Sequence, residues 1–469
     1  MNLHSRGVFT LGGLLCAVLI VLGIKISGGK ESVVSAQQDN WTTEAARRQG
    51  IRLLETRDAS GPAAYPVQAG DLLFFTNVGT SYGAKNPKNS VVVINARTKE
   101  PIAVSDLEPA WSEGWSSHGI GVSPDARYVY LPAIRPGAFT NASSDGNPSA
   151  ILVLDSRTLK IQQIISSGAA RTHHVKQYED WTGTPRILVE DFNWMNAGVN
   201  GKGFYVLDPS DENKVVAGMT NGDVRGNLYA GFTAPDGRYL YFSVPPGDRT
   251  IRDDVQGWLA KIDMQTWKVT QSIPMEHYPI WTVFTRDGRW AWTTNSEDSK
   301  VVKIERAPAP AGPGRRDEVV AEVPTGPGPY GMALNLDDTD LWVADKGETI
   351  PGQRGTSITI IDTQTDEVKR TIPTNCITND HLILSPDGRE MWATCNQSHE
   401  VVVLDTETYD IKVRIPMPNI GDTHGGVFVS YTRGPEGIVG ENVSDMNGLH
   451  GSARDAVVRG TPWAPADGQ

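Results

Sequence analysis

The sequence predicts an all-β protein, a seven-bladed β-propeller, and three observations support this fold. Short apolar runs are joined by turns that contain Pro, Asp and Gly, as in HGIGVSPDARYVYLPAI at 118–134, which is the pattern of a β-hairpin. These hairpins recur along the 469-residue chain at a nearly constant spacing. The 3.6-residue apolar period that helical solenoids would show is missing from the repeats.

The repeat is defined by an Asp in the turn of each first hairpin. Successive turn residues are 55, 56, 51, 50 and 50 positions apart. A second hairpin follows in each repeat, with turns such as LDSRTLK, IDTQTDE and LDTETYD. Two hairpins give four strands, which make one propeller blade. The turn residues are Asp125, Asp180, Asp236, Asp287, Asp337 and Asp387.

Composition agrees with this fold and excludes one class of partner. The chain is 39% hydrophobic with 48 Gly, as expected of a globular protein built from short strands. Its net charge of −12 comes without any compensating run of Lys or Arg. A nucleic-acid partner is therefore not expected.

Residues 1–36 are predicted to be a targeting segment. A basic residue precedes an apolar run at 8–24, and Val34-Ser35-Ala36 resembles a cleavage site for a signal peptide. An uncleaved membrane anchor is the alternative, since the run is barely long enough to span a bilayer. Either way the body is expected to be exported to the periplasm or beyond. Residues 37–70 form an N-terminal extension, in which TTEAARRQGIRLLE predicts a short helix.

The propeller is predicted over residues 71–431, with a blade made from both ends of the chain. The first blade begins with LLFFTNV and lacks its innermost strand, whereas THGGVFVSY at 423–431 has no hairpin partner. Joining them closes the ring and buries the open edges. Residues 432–469 are interpreted as a structureless C-terminal tail.

Histidines collect where the innermost strands begin, at the mouth of the central channel. Counting back seven residues from the turn Asp reaches His118, His173 and Asp380 in three of the blades. Further histidines adjoin these positions, start the composite strand or lie in an entering loop. The predicted metal ligands are His118, His173, His174, His277, His381 and His424.

Two interpretations of this ring of histidines are open. Channel mouths are polar whether or not they bind anything, so the imidazoles could simply be solvated. Crowded imidazoles repel one another when protonated, however, and a metal ion is the usual reason to gather them. Imidazole suits copper, zinc or iron, and an all-His set in an exported protein favours copper. Haem is also possible, although the chain has no CxxCH motif.

The candidates for a catalytic acid or base are carboxylates and one lysine near the same face. Asp380 is placed best by position, and Lys85 lies in a loop between the second and third strands of its blade. Glu190 and Asp191 lie near the corresponding loop of another blade. Ordinary surface charge is the alternative for each of them.

The two cysteines outside the targeting segment are Cys376 and Cys395. Export to an oxidising compartment and an even number favour a disulfide. Thiolate ligation of a metal next to His381 is the alternative.

The repeat resembles a known family. The SPDG turn at 385–388 followed by LDTET at 404–408 resembles the YVTN (YncE-like) seven-bladed propellers, and the likeness extends over residues 70–431. EGWSSH at 113–118 and GKGFYVLD at 201–208 are similar to segments of the selenium-binding protein/methanethiol oxidase family. Thiocyanate dehydrogenase and the propeller domain of nitrous oxide reductase are also His-lined propellers of similar build.

These His-lined families are copper enzymes that act on small sulfur or nitrogen compounds. The resemblance therefore implies copper bound by His118, His173, His381 and His424, with His174 and His277 as further candidates. The chain departs from the families in two ways, since it lacks the early paired-Cys motif and a C-terminal cupredoxin domain. The second departure argues against a nitrous oxide reductase.

Three classes of function follow from the sequence. The first is an exported copper oxidoreductase with a small-molecule substrate of the thiocyanate or methanethiol type and a periplasmic electron acceptor. The second is a non-catalytic propeller that binds a partner protein or ligand. The third is a d1-type haem-binding propeller. Metal analysis distinguishes these classes.

Overall fold

The computed structural model describes residues 41–79, 88–134, 149–168, 171–191, 203–245, 256–307 and 315–444. These residues form seven separate antiparallel sheets of four or five strands. The sheets are the blades of a seven-bladed β-propeller, so the predicted all-β fold is confirmed.

Five consecutive blades follow the predicted two-hairpin plan, with four strands in chain order from the inner edge to the outer edge. Blade three contains β9 (Thr172–Glu179), β10 (Pro185–Asp191), β11 (Phe204–Asp208) and β12 (Lys214–Met219); blade four β13 (Gly231–Thr233), β14 (Tyr239–Val244), β15 (Trp258–Asp263) and β16 (Lys268–Pro274); blade five β17 (Pro279–Phe284), β18 (Trp290–Asn295), β19 (Lys300–Glu305) and β20 (Glu318–Pro324); blade six β21 (Pro329–Leu334), β22 (Asp340–Asp345), β23 (Ser357–Asp362) and β24 (Glu367–Pro373); and blade seven β25 (Asn379–Leu384), β26 (Glu390–Cys395), β27 (Glu400–Asp405) and β28 (Ile411–Pro416).

Blades one and two have five strands each because segments near the ends of the chain join them. Blade one contains β2 (Leu72–Val78), β3 (Ser90–Asn95), β4 (Glu100–Val104), β29 (Gly426–Gly434) and β30 (Gly437–Asn442), and blade two contains β1 (Arg52–Thr56), β5 (Gly121–Val122), β6 (Tyr128–Ala133), β7 (Ala150–Asp155) and β8 (Ile161–Ser166). The helical elements are short: α1 (Glu44–Gln49), α2 (Pro109–Ser112), α3 (Asn221–Val224) and a 3₁₀ turn (Pro418–Ile420).

The repeated Asp residues form the hairpin turns with their side chains. In the first hairpins, the carboxylate of Asp125 accepts from the backbone N–H of Arg127 at 3.1 Å, and that of Asp387 accepts from Arg389 at 3.1 Å. In the second hairpins, the carboxylate of Asp405 accepts from the backbone N–H groups of Glu407 and Thr408 at 3.0 and 2.9 Å. These side-chain bonds add to backbone turn bonds, such as that from the N–H of Gly388 to the carbonyl of Ser385 at 2.8 Å. They explain why an Asp recurs in each turn.

Apolar residues fill the spaces between neighbouring sheets. Trp292, Trp342 and Trp392 occupy matching positions in β18, β22 and β26, and none of the three is exposed. Stability of the ring therefore comes from sheet-on-sheet burial of large side chains.

The predicted closure of the ring is confirmed. Strand β29 pairs antiparallel with β2, with Thr76 opposite Gly426 and Leu72 opposite Ser430. The predicted tail is structured in its first part, because β29 continues beyond residue 431 and β30 pairs with it. The amide of Asn442 donates to the carbonyl of Val122 at 2.8 Å and so ties β30 to blade two.

The N-terminal extension is only partly helical. Helix α1 is capped at its N-terminus by Thr43, whose hydroxyl accepts from the N–H of Ala46 at 3.2 Å, and at its C-terminus by Gly50 with φ +70°. The predicted helix continued through RLLE, but these residues form β1 instead. Strand β1 pairs with β8 and buries Leu53, which explains why the tertiary contact prevails over the local helical pattern.

Cys376 and Cys395 form a disulfide with their Cα atoms 5.6 Å apart. The predicted bridge is therefore present in the structure, and thiolate ligation by this pair is not. Within the described ranges, no helix is long and apolar enough to cross a membrane. The predicted targeting segment lies outside these ranges.

We expect that deleting all residues after Met417 destabilises the propeller. The deletion removes β29 and β30, exposes the edge of β2 and uncovers two packed faces. Thermal unfolding and size-exclusion chromatography should show a lower Tm and aggregation. A control that ends at residue 444 keeps every described strand. A Met417 truncation that stays monomeric and melts like the full chain would contradict the composite blade.

Candidate metal centre

Four innermost strands and the residues that lead into them bring five histidines together at the centre of the ring. His118 lies three residues before β5 and His424 two residues before β29, while His173 and His174 lie in β9 and His381 lies in β25. The blades concerned, seven, one, two and three, are neighbours in the ring. We call these five residues the histidine cluster.

The imidazole rings of the histidine cluster are in mutual contact. The ring of His118 lies 4.2 Å from that of His173 and 4.2 Å from that of His424, measured between centroids. The rings of His173 and His174 are 3.8 Å apart, and those of His174 and His381 are 5.2 Å apart. Five sequence-predicted ligands therefore converge on one place.

Two glycines make this close approach possible. Gly119 follows His118 with φ +90°, and a Cβ there would lie 3.2 Å from Cδ2 of His174. A Cβ on Gly425, which follows His424, would lie 3.1 Å from Nδ1 of His381. In each His-Gly pair, the histidine contributes an imidazole, and the missing Cβ of the glycine leaves room for an imidazole from another blade.

The cluster is buried, whereas the sequence predicted a channel mouth. His118 is the most exposed member at 7%, and His424 is fully buried. Neighbouring inner strands and their loops enclose the imidazoles. The histidines lie at the predicted starts of the inner strands, and their burial argues against the alternative that they are simply solvated.

Some imidazole nitrogens have no hydrogen-bond partner among the described residues. These atoms are Nε2 of His174 and both ring nitrogens of His381. Burying a polar atom without a partner costs about 1–3 kcal/mol. Ligand atoms of His118, His173 and His174 lie within 4.8 Å of one another, and so do those of His118, Asp380 and His381. Both facts are expected of a metal centre.

A buried carboxylate orients His174. Oε2 of Glu190 lies 2.8 Å from Nδ1 of His174, while Oε1 accepts from Nζ of Lys176 at 2.7 Å and from the N–H of Gly231 at 2.8 Å. With Nδ1 protonated towards Glu190, Nε2 of His174 carries the free lone pair. This is the carboxylate–histidine arrangement that accompanies metal ligands.

A second buried carboxylate orients His424 in the same way. Oδ2 of Asp380 lies 2.7 Å from Nδ1 of His424 and accepts from the amide of Asn396 at 3.0 Å. Oδ1 pairs with Nζ of Lys346 at 2.8 Å, and the same ammonium contacts Glu348 at 2.7 Å. Because both oxygens are engaged, Asp380 is better suited to hold His424 than to act as the predicted acid or base.

The electrostatics favour neutral imidazoles at His118, His174 and His381 and a charged carboxylate at Asp380. Burial, with neighbouring imidazoles next in importance, holds the pKa values of His118 and His174 well below their usual range. Burial also lowers the pKa of His381 to about 3. For Asp380, burial opposes ionisation, but Lys346 and the adjacent imidazoles outweigh it and hold the pKa below its usual range. Neutral imidazoles with free lone pairs are the form that binds metals.

Aromatic side chains line the side of the cluster opposite its histidine-bearing blades. The ring of Trp281 is 4.6 Å from that of His381, and the ring of Tyr229 is 4.8 Å from that of His173. The hydroxyl of Tyr330 lies 3.4 Å from Nε2 of His118. These residues come from blades four, five and six.

The predicted ligand His277 is not part of the cluster. His277 is paired with Asp298, with Nδ1 2.7 Å from the carboxylate, and belongs to a separate group with Glu276. The structure therefore separates His277 from the five histidines with which it was grouped. Lys85 lies outside the described residues. Asp191 accepts from the hydroxyl of Thr172 at 3.2 Å within its own blade.

Sequence reasoning missed three residues that contact the cluster or its support: Trp281, Lys346 and Asn396. A signal for two of them exists, because Lys346 and Asn396 are 50 residues apart, at the same place in successive repeats. Both follow the second strand of a blade and reach Asp380. Extending the repeat register to the ends of the second strands would have found them.

Comparisons with known proteins support the fold. Neither a protein-family model nor a curated protein sequence matches the chain. Among solved structures, hydrazine synthase of Kuenenia stuttgartiensis is 19% identical with a TM-score of 0.51, over 68% of this chain and 90% of that one. A putative 6-phosphogluconolactonase of Bacteroides uniformis is 14% identical with a TM-score of 0.54, over 77% and 100%.

The periplasmic gluconolactonase PpgL of Pseudomonas aeruginosa is 15% identical with a TM-score of 0.53, over 76% of this chain and 99% of that one. At these identities the likeness shows the fold alone. The chain is a seven-bladed β-propeller, in agreement with the YVTN-like repeat, and its centre carries a buried cluster of five histidines.

We expect His277→Gln to destabilise the metal-free protein by less than about 1 kcal/mol, and more at pH 5.5 than at pH 9. The hydrogen bond to Asp298 raises the pKa of His277. The pair therefore stabilises the fold fully below the unfolded pKa of about 6.5, and this contribution is lost as the pH rises through the folded pKa. Urea unfolding of both proteins at the two pH values tests this. An effect that is equal at both, or larger at pH 9, would contradict it.

Proposed function

We propose that this protein is an exported copper-dependent oxidoreductase that acts on a small sulfur or nitrogen compound at the histidine cluster. The observation that carries the proposal is the set of five buried imidazoles with unpartnered nitrogens on His174 and His381. Propeller stability does not require these groups, since blade packing supplies it. Burying polar atoms without hydrogen-bond partners costs stability, so such atoms are expected where a bound ligand supplies the missing partner.

The donor set fits copper. It consists of neutral imidazoles, and the cysteines that could have supplied thiolate are joined to each other. Imidazole ligands suit copper, zinc and iron, and an all-histidine set in an exported protein favours copper. Zinc is the main competitor on ligand type. Metal analysis distinguishes the two.

The histidines could hold more than one ion. His118, His173 and His174 make one set with convergent ligand atoms, and His118, Asp380 and His381 make another. Five imidazoles exceed the four ligands that a single tetrahedral ion takes. When bound, copper would supply the one-electron redox chemistry that the protein side chains lack.

The residues of this chain would perform the remaining tasks. Glu190 and Asp380 fix the tautomers of His174 and His424, so that Nε2 of each faces away from its carboxylate. Lys176 and Lys346 neutralise these carboxylates. Burial of the centre keeps water out and limits access to small substrates. Electrons would leave to a periplasmic acceptor, which is part of the proposal.

Two other functions compete with this one. A d1-type haem needs space for a macrocycle, and the contacts of 3.8–5.2 Å between imidazole rings favour metal ions inside the cluster instead. A propeller that only binds a partner needs no buried imidazoles. A haem spectrum in the purified protein would support the haem-binding propeller. A purified protein with neither metal nor haem would support the propeller that only binds a partner.

We expect His381→Leu to lower the copper stoichiometry without destabilising the metal-free protein. Leu has a similar volume and removes two buried nitrogens that have no hydrogen-bond partner among the described residues. The free energy of unfolding should therefore stay within about 1 kcal/mol of the original or rise. Elemental analysis after copper loading and dialysis gives the stoichiometry, and urea unfolding gives the stability.

The matched control is His399→Leu, which removes a histidine outside the cluster. His399 pairs with the buried carboxylate of Asp422 at 2.9 Å. This variant should bind copper like the original protein and be less stable. A His381→Leu protein that keeps its full copper content would refute the proposed site.

A further inference from the structure

Two tyrosine hydroxyls face the cluster from the side opposite the blades that contribute its histidines. Tyr229 precedes β13 in blade four and Tyr330 lies in β21 of blade six, so the fold brings them together across the ring. Their hydroxyl oxygens are 2.6 Å apart, and that of Tyr330 lies 3.4 Å from Nε2 of His118. Both side chains are buried.

The two tyrosines together can donate one hydrogen bond towards the metal centre. Either hydroxyl can donate in the shared hydrogen bond, and when Tyr229 does so, the proton of Tyr330 is left for another acceptor. Nε2 of His118 is close to it, but at 3.4 Å the contact is long for a hydrogen bond. A metal on Nε2 would also occupy its lone pair. The acceptor would then be a molecule bound to the metal.

The Tyr330 hydroxyl is held in place. Nζ of Lys346 lies 3.9 Å from the centre of the Tyr330 ring, and the ring of Trp281 packs against it at 6.3 Å. A cation over the ring face and a neighbouring indole restrict the orientation of the phenol. A fixed donor is suited to recognise a ligand atom at one position.

The charges around the cluster favour an anion as that ligand. The five histidines are neutral ligands. Among the carboxylates beside the cluster, Glu190 pairs with Lys176, and Asp380 shares Lys346 with Glu348, which leaves one net negative charge. This single charge would only partly compensate a divalent metal ion bound by the imidazoles. A buried uncompensated charge is costly, and a small anion would remove this cost.

We infer that Tyr330 donates a hydrogen bond to a small anion bound at the metal centre beside His118, and that Tyr229 positions the Tyr330 hydroxyl. This inference rests on the proposed copper centre and narrows its substrate class to a small anion, or a molecule that presents an anionic atom. Tyr330 is the residue that touches this ligand. Tyr229 acts through Tyr330.

The experiment uses azide as the probe anion and the full chain loaded with Cu²⁺. Azide is titrated into each protein, and its dissociation constant is read from the azide-to-copper charge-transfer absorption. The copper content of every sample is measured beforehand. The variants are Tyr330→Phe and Tyr229→Phe, each of which removes one oxygen atom and keeps the ring.

The control is Tyr130→Phe. Tyr130 is a buried tyrosine whose hydroxyl donates to Asn213 at 2.6 Å, away from the cluster. The Tyr130→Phe protein should bind azide like the original protein.

The Tyr330→Phe protein should keep its copper and bind azide at least about tenfold more weakly, because a hydrogen bond to a charged group is lost. Tyr229→Phe should show a smaller loss.

The outcomes separate this inference from the proposed function. An original protein that takes up no copper overturns both. A copper-loaded original protein that binds no azide, or a copper-loaded Tyr330→Phe protein with unchanged azide affinity, overturns the inference and leaves the copper centre intact. An equal loss in the Tyr130→Phe control would also overturn it, because the effect would then come from any buried tyrosine.

Discussion

The pairing of β2 with β29 is the constraint on which the rest of the structure depends. It joins the two ends of the chain in one blade and leaves no open edge between blades seven and two. It also places His424, which precedes β29, between His118 of blade two and His381 of blade seven. Without this closure the histidine cluster would lose a member and its wall on one side.

Charge compensation is the second requirement of the centre. Glu190 and Asp380 are buried beside the imidazoles, and each has an ammonium partner within 2.8 Å. For Asp380 the cationic partner and the adjacent imidazoles outweigh burial and lower the pKa, whereas for Glu190 burial prevails and raises the pKa. Hydrogen bonds to these two carboxylates fix the tautomers of His174 and His424. Burial keeps His118, His174 and His381 neutral, with lone pairs available for a metal.

Much of the fold could be predicted because its signals are local. The turn Asp residues bond their own hairpins, so their spacing gives the blade count, and the unmatched strand at 423–431 gives the closure. His118 and His173 were found by the same register, His381 as the neighbour of Asp380, and His424 at the start of the composite strand. Contacts between distant segments could not be predicted in this way. The helical pattern at 42–55 gave no sign of the pairing of β1 with β8, and nothing in the sequence indicated the bond between His277 and Asp298. The depth of burial of the cluster depends on all seven blades and is not a property of any one repeat.

The central claim is that the histidine cluster is the metal centre. Crystals of the copper-loaded protein, measured above and below the copper absorption edge, test it most directly. The account predicts anomalous density within coordination distance of His118, His173, His174 and His381, with none at Glu276, His277 and Asp298. Density at the His277 group alone, or none within the histidine cluster, would contradict it.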